Sequence, residues 1–392
     1  MKETYICAYA RTAIGSFKGA LSSISATKLG SNVINSVLEK AMIEPEFIDE
    51  VIMGNVLSAN LGQAPARQAS IGAGLPTSVE CMTINKVCGS GLKAVMLADQ
   101  SIRLNTSDIV IAGGMENMSL APYYLAKSKK NMPFEHNQLI DSIIHDGLWD
   151  PYNNVLMGNC GEILCKENKY SREDQDNYAI NSYDRSNEAI SKGIFKNEIS
   201  VFEIETKNGI EIIDTDEEPL KFKKEKIFAL KPAFDKNGTI TAANASSLSD
   251  GAAAILLASE DKVKKYKLNP VAKIIAHATF ATDPVYFTKA PIYAIEKVLK
   301  KAGLNLKDID LFEINEAFSC VPLVVMDELG ISIKKVNIHG GAVSLGHPIG
   351  ASGTRILVTL LNALKTRNLR YGIASLCIGG GEASAVIVEM CN

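Results

Sequence analysis

One stretch of this chain comes back further along it, and that repetition limits the possible folds more than any other feature. Val37-Leu38-Glu39-Lys40 followed by Ile48-Asp49-Glu50-Val51-Ile52-Met53-Gly54 matches Val298-Leu299-Lys300-Lys301 followed by Ile309-Asp310-Leu311-Phe312-Glu313-Ile314-Asn315. The register is constant at 261 residues (298 − 37 and 309 − 48). In both copies an amphipathic helix ends in a short turn and an apolar strand begins. The repeat continues: Cys88-Gly89-Ser90-Gly91 opens a helix over 92–104, then comes the strand Ile109-Val110-Ile111-Ala112 and Gly113-Gly114. In the second copy His347 to Gly353 opens a helix over 354–366, followed by a strand over 372–376 and Gly379-Gly380-Gly381. Strand, glycine turn, helix, strand is the order of an α/β layer whose apolar strands are buried on both faces. Two such halves predict a pseudo-symmetric pair with the active groups where they meet.

A chain of 392 residues is too long for one small core and predicts two or three domains. Between the halves, residues 119–239 hold most of the polar loops and a helix-forming stretch over 172–192. We read this as an inserted domain closing over the site. The first half is then 1–118 plus 240–268, with Ala252 to Leu257 as a returning buried strand, and the second half is 269–392. A formal charge of -3 gives neither a basic face for nucleic acid nor an acidic tail, so a small-molecule partner is expected. The eight cysteines lack the spacing of a disulfide framework, and Cys160 and Cys165 have no second pair to complete a zinc site. No leader, address signal or membrane-length apolar run is evident. A reducing cytosol, with no metal and no membrane partner, is the expectation.

Chemistry concentrates in three glycine-rich segments. Cys88, in Asn85-Lys86-Val87-Cys88-Gly89-Ser90-Gly91, combines a thiol with glycines that let a substrate approach the backbone at a helix start. A buried packing cysteine is the bland alternative; the turn-to-helix setting favours a nucleophile. His347, in Gly346-His347-Pro348-Ile349-Gly350, is one of five histidines and sits in a rigid loop ahead of a helix, the place for a base. His339 is the decoy, satisfied by packing, while His136, His145 and His277 read as surface or packing residues. Cys377 follows an apolar strand and precedes three glycines; a second acid/base and a small buried residue at a strand end are equally good readings. The glycine run lacks the lysine of a P-loop and the spacing of a dinucleotide fingerprint. Asn315, in Asn315-Glu316-Ala317-Phe318, could hold a water or an oxyanion, but taken alone it reads better as a cap for the following helix. Thiol, imidazole, second thiol and free backbone N–H groups together suit acyl transfer through a covalent thioester.

At these segments the chain resembles the thiolase family. The blocks around Cys88, Asn315, His347 and Cys377 occur in that family's order. Arg11-Thr12-Ala13-Ile14-Gly15-Ser16-Phe17, Gly113-Gly114-Met115-Glu116-Asn117-Met118-Ser119 and Asn244-Ala245-Ser246-Ser247-Leu248-Ser249-Asp250-Gly251 extend the likeness nearly end to end. The resemblance implies a five-layer α-β-α-β-α core with an inserted loop domain, assembled as a dimer or a dimer of dimers. It implies that His347 deprotonates Cys88, which takes an acetyl group from acetyl-CoA. Cys377 then abstracts an α-proton from a second acetyl-CoA, giving acetoacetyl-CoA and CoA, a reaction of lipid metabolism. CoA thioesters are substrates on this reading, with no cofactor. One oxyanion hole would be the N–H groups of Cys88 and Gly379; the other, the His347 ring with a water held by Asn315.

By the same resemblance Phe234, Ala242, Ser246, Ala317 and Phe318 lie near the pantetheine. Lys221, in the basic run Lys221-Phe222-Lys223-Lys224-Glu225-Lys226, would meet the nucleotide phosphates, although a solvated face is the commoner role of such a run. Two departures stand out. Leu156-Met157-Gly158 occupies the place, close to the thioester, where short-chain members generally carry His-Met-Gly. Phe287 stands where many bacterial members have methionine. The alternatives are a thiolase of broader chain length, a condensing enzyme acting on carrier protein, which the late second cysteine does not match, and a non-catalytic binder of CoA esters, which the intact residue set argues against.

Overall fold

The computed structural model describes residues 2–125, 137–207 and 209–391. Nine longer strands share one mixed sheet: β1 (Thr4–Thr12), β2 (Glu50–Gly54), β3 (Glu80–Ile84), β4 (Ile109–Asn117), β5 (Ser249–Ser259), β6 (Ala272–Ala281), β7 (Leu311–Ile314), β8 (Tyr371–Ile378) and β9 (Glu382–Met390). Their order is β7-β8-β9-β6-β1-β5-β4-β2-β3. Read outward from the middle, β1-β5-β4-β2 on one side and β6-β9-β8-β7 on the other follow the same order. Among the described residues the two half-sheets are hydrogen-bonded to each other through β1 and β6, where Tyr5 pairs with Lys273 and Ile6 with Ala272.

The repeated helices fall into matching places. They are α1 (Ala26–Ala41) and α2 (Ser90–Arg103) in the first half, and α5 (Ala290–Ala302) and α7 (Ser352–Arg367) in the second. Between them come α3 (Met157–Asn168), α4 (Arg172–Ser191) and α6 (Cys320–Leu329). One apolar cluster joins α1 to the outer face of the first half-sheet, through residues such as Leu29, Val33, Val51 and Ile111. A second joins α5 and α6 to the outer face of the other half, through Ile295, Val298, Phe312 and Ile387. The third lies between the halves and holds α2 and α7 with both inner faces: Leu92, Val95, Ile356 and Leu360 against Ile52, Val110, Ala374 and Val386. Helix, sheet, helix, sheet, helix is the resulting stack, as the resemblance implies. A helix in the middle layer has no face toward water, and α7 is buried without interruption from Ser352 to Leu364, its polar residues Arg355, Thr359 and Asn362 included.

Glycine determines how closely α2 and α7 cross. A Cβ on Gly91 would lie 2.7 Å from Thr354 Oγ1, and one on Gly353 would lie 2.3 Å from the backbone nitrogen of Leu92. Each glycine is the second residue of its helix, and these close approaches bring the first turns of both helices together. That point carries the loops containing Cys88 and His347.

Between β4 and β5 the chain leaves the sheet for short two-stranded ribbons, such as Phe202–Thr206 with Gly209–Ile213, and the helices α3 and α4. Cys160 and Cys165 both lie on α3, buried and unpaired. His136 lies outside the described residues.

Candidate active site

Cys88 follows a strained residue. Val87 has φ 45°, in the left-handed region that a β-branched side chain rarely adopts. Its neighbour Gly89 could carry no side chain, because a Cβ there would lie 2.3 Å from Ile378 Cδ1 of the other half. Cys88 is partly open to solvent, yet apolar packing pushes its thiol up to about 11, and its own N–H and that of Gly379 point at the sulfur and work against that rise. The charge of Glu116 adds to the rise. Cys377, at the end of β8, is fully buried, and its thiol is raised well above the ordinary value by burial and then by the proximity of Cys88.

Cys88 packs with Val56, Leu57, Met118, Ile143 and Ile349 in one small apolar cluster, so it shares a wall with the loop that carries His347. His347 is 6% exposed, and burial together with the charge of Arg355 pushes its imidazole down to about 3. The ring is held from both sides. Nδ1 lies 2.5 Å from Ser352 Oγ, which also lies 2.9 Å from Pro348 O. With the hydroxyl proton on the carbonyl, Ser352 accepts from Nδ1, and Nδ1 is then the protonated nitrogen. Nε2 lies 3.4 Å from Asn315 Nδ2. Asn315 does not cap the following helix, whose N-cap is Ser319; its amide lies against the imidazole instead. His339 is 3% exposed, pushed down to about 4 by burial, and edge-on to Phe195. His145 pairs with Asp146 and His277 with Asp99.

A cavity of about 380 Å³ opens beside His347. Leu156, Met157, Phe234, Ala242, Ser246, Ala317 and Phe318 all line it, so these sequence-predicted contacts come together. The rings of Phe234 and Phe318 meet edge to face at 5.9 Å, and Gly158 leaves room for Phe234, since a Cβ there would touch its ring at 2.4 Å. Ser246 donates from both N and Oγ to Ala317 O, pinning the two walls to each other. Lys221 lies outside this cavity. It borders an adjoining groove of about 240 Å³ with Lys223, Lys226 and the Tyr183–Phe222 stack, and Ala242 is common to both spaces. Its ammonium bonds Ser16 Oγ and faces Glu217 and Glu218, which help to hold it.

Two buried carboxylates fasten the His347 loop, and the motifs alone assigned them no work. Glu116 accepts from Asn55 Nδ2, Val56 N, Leu57 N and Gly350 N at 2.9–3.1 Å. Glu316 accepts from Tyr178 OH, Ser182 Oγ, Asn337 Nδ2 and Val343 N at 2.7–3.0 Å, and so ties α4 to the same loop. Ser352 was missed as well; its only signal in the sequence was its place at the start of the helix after His347.

Comparison with known proteins identifies the family. Residues 4–261 match the thiolase N-terminal domain and residues 268–390 the thiolase C-terminal domain. Acetyl-CoA acetyltransferase 2 of Arabidopsis thaliana is 50% identical over 99% of this chain and 97% of its own. The acetyl-CoA acetyltransferase of Yarrowia lipolytica is 51% identical over 99% and 97%. A thiolase of Ascaris suum in complex with coenzyme A superposes with a TM-score of 0.94 at 43% identity, over 100% of both chains. Human mitochondrial 3-ketoacyl-CoA thiolase does so with 0.96 at 38%, over 100% of this chain and 99% of that one. With both family domains matched across its length and its catalytic motifs gathered at the seam between them, the chain belongs to the thiolase family.

Proposed function

We propose that this thiolase interconverts two molecules of acetyl-CoA with acetoacetyl-CoA and free CoA, as the names of its 50–51% identical relatives suggest. The observation that carries the reading is the Cys88 sulfur, faced by the N–H groups of Cys88 and Gly379, in a cluster shared with the His347 loop. On this reading His347 Nε2 takes the thiol proton as Cys88 attacks the acetyl carbonyl. The departing CoA thiolate takes the Cys377 proton and leaves as the thiol, while Nε2 keeps the proton from Cys88. Cys377, now thiolate, removes an α-proton from a second acetyl-CoA, and the carbanion attacks acetyl-Cys88, expelling the Cys88 thiolate, which recovers its proton from Nε2. The two N–H groups would stabilise the acetyl-enzyme oxyanion, and a protonated Nε2 beside Asn315 the enolate oxygen; one such donor is worth about 10²–10³ in rate. The CoA chain would run along the apolar cavity toward the groove at Lys221, Lys223 and Lys226.

The test is to mix the protein with acetoacetyl-CoA and CoA and follow the enolate absorbance. Loss of that signal, abolished by Cys88→Ala, is expected; no loss would leave a CoA-ester binder.

A second reading, broader chain length, is favoured by one feature. Leu156 adds to a wall already made of Met118, Leu148, Leu248 and Ile349. Turnover of 3-ketohexanoyl- and 3-ketodecanoyl-CoA at rates near that of acetoacetyl-CoA would establish it. A reducing cytosol is part of the proposal, supported by eight unpaired thiols, as is a dimer of dimers. Exposed Met82 on the edge strand β3, and Tyr123, Leu125 and Leu139 on the ribbon formed by Tyr123–Leu125 and Leu139–Asp141, offer surface for such contacts. Light scattering would measure the assembly.

A further inference from the structure

Arg355 is a buried charge to which the reaction as described gives no task. It is 1% exposed on the first turn of α7, with Nη1 3.2 Å from Glu313 Oε1 and Nη2 3.5 Å from Asn315 Oδ1. Its Nε is also buried and has no hydrogen-bond partner among the described residues. Taking a guanidinium and a carboxylate out of water is costly and is a poor way to gain stability alone.

The contact with Asn315 carries information, because a guanidinium only donates. Whatever faces Nη2 must be the amide oxygen, so the amide nitrogen is turned toward His347. An amide nitrogen also only donates, so the Nε2 it faces must bear the lone pair. With Nε2 bearing the lone pair, Nδ1 carries the proton, and on that side of the ring Ser352 Oγ lies 2.5 Å away to accept it. Ser352 and Arg355 stand one helical turn apart, so the start of α7 dictates both faces of the imidazole.

We propose that Arg355 is a positioning residue: by orienting the Asn315 amide it selects the tautomer of His347 in which Nε2 is the proton acceptor. Its positive charge also disfavours imidazolium in the resting enzyme. The inference rests on His347 being the base for Cys88.

Two variants test it, each read by steady-state kinetics and by the imidazole 15N shifts of histidine-labelled enzyme, with His347→Asn assigning the signal. Arg355→Lys keeps the charge but loses the planar fork. The expected result is a mixture of tautomers at His347 and a kcat lower by about 10²-fold, the scale of a slight misplacement, with KM within about threefold. Asn315→Asp leaves no donor toward Nε2 and is expected to shift the ring to the Nε2–H form, a readout available even if Arg355→Lys fails to fold. A purely Nδ1–H spectrum in either folded variant would overturn the proposal. Wild-type enzyme inert toward acetoacetyl-CoA would instead sink the proposed function, while the tautomer measurement would still decide the role of Arg355.

Discussion

The Nδ1 atom of His347 lies 2.5 Å from the hydroxyl oxygen of Ser352, which in turn lies 2.9 Å from Pro348 O. The imidazole proposed as the base is thus held by the helix it precedes. Ser352→Ala removes the acceptor for Nδ1–H while Asn315 remains. We expect kcat to fall between about 10- and 10²-fold with little change in KM, as measured by acetoacetyl-CoA thiolysis.

Cys377 is expected to be essential only after the first acyl transfer. In Cys377→Ala, brief exposure to labelled acetyl-CoA should still add a two-carbon group to the Cys88 peptide, seen by mass spectrometry. Overall turnover should fall by about 10²–10⁴-fold, the usual contribution of a general acid or base. Loss of the labelled adduct would show that Cys377 is needed earlier than this order of steps allows.

Acid should destabilise the fold through His339. Burial holds its imidazole at about 4 in the native state, below the ordinary 6.5. As pH falls below 6.5 the unfolded chain takes up the proton first, so the contribution is complete above 6.5 and is lost on the way down to 4. Its full size is at most about 3 kcal/mol. Glu116 and Glu313, raised by burial to about 7 and about 8, work in the opposite direction, losing stability as pH rises, in wild type and His339→Gln alike. The difference between the two proteins therefore isolates the imidazole. Urea midpoints at pH 7 and 4.5 should converge less steeply with acid in His339→Gln; parallel loss in both would refute the assignment.

Leu156, in the cavity wall, is expected to set the acyl-chain preference. Leu156→His places a polar ring among Met118, Leu148 and Ile349, and kcat/KM for 3-ketohexanoyl-CoA relative to acetoacetyl-CoA should drop about 10-fold or more. An unchanged ratio would move the chain-length determinant elsewhere.

Gly353→Ala drives a methyl group to 2.3 Å from the Leu92 nitrogen. Separating α2 from α7 should cost about 1–3 kcal/mol as overpacking, and kcat should fall together with Tm. A substitution neutral in both would mean that the crossing tolerates more space than its geometry allows.

The repeat made the scaffold legible, since paired strands and helices such as β2 with β7 carry the same apolar pattern 261 residues apart. The helices α2 and α7 start at Ser90 and Ser352, two residues before the expected 92 and 354. Glycine ordinarily argues against a helix interior, but here Gly91 and Gly353 are inside because another backbone passes too close for a side chain. Asn315 showed the same override: local preference favoured a cap, while tertiary packing turned the amide to His347. Glu116, Glu316, Ser352 and Arg355 act through contacts made across space, and no spacing in one sequence reveals those. The cavity wall was legible through the family likeness, apart from the apolar additions Met118, Leu148, Leu248 and Ile349.

The two-residue pairing between β1 and β6 leaves the halves almost independent as sheets, while their chemistry is divided unequally. A cut near residue 265 would put the sulfur nucleophile on one fragment and its base, amide and second thiol on the other. Neither piece could turn over substrate alone, so restored activity in a mixture would report the docking of two polypeptides, and the molecule could serve as a split reporter.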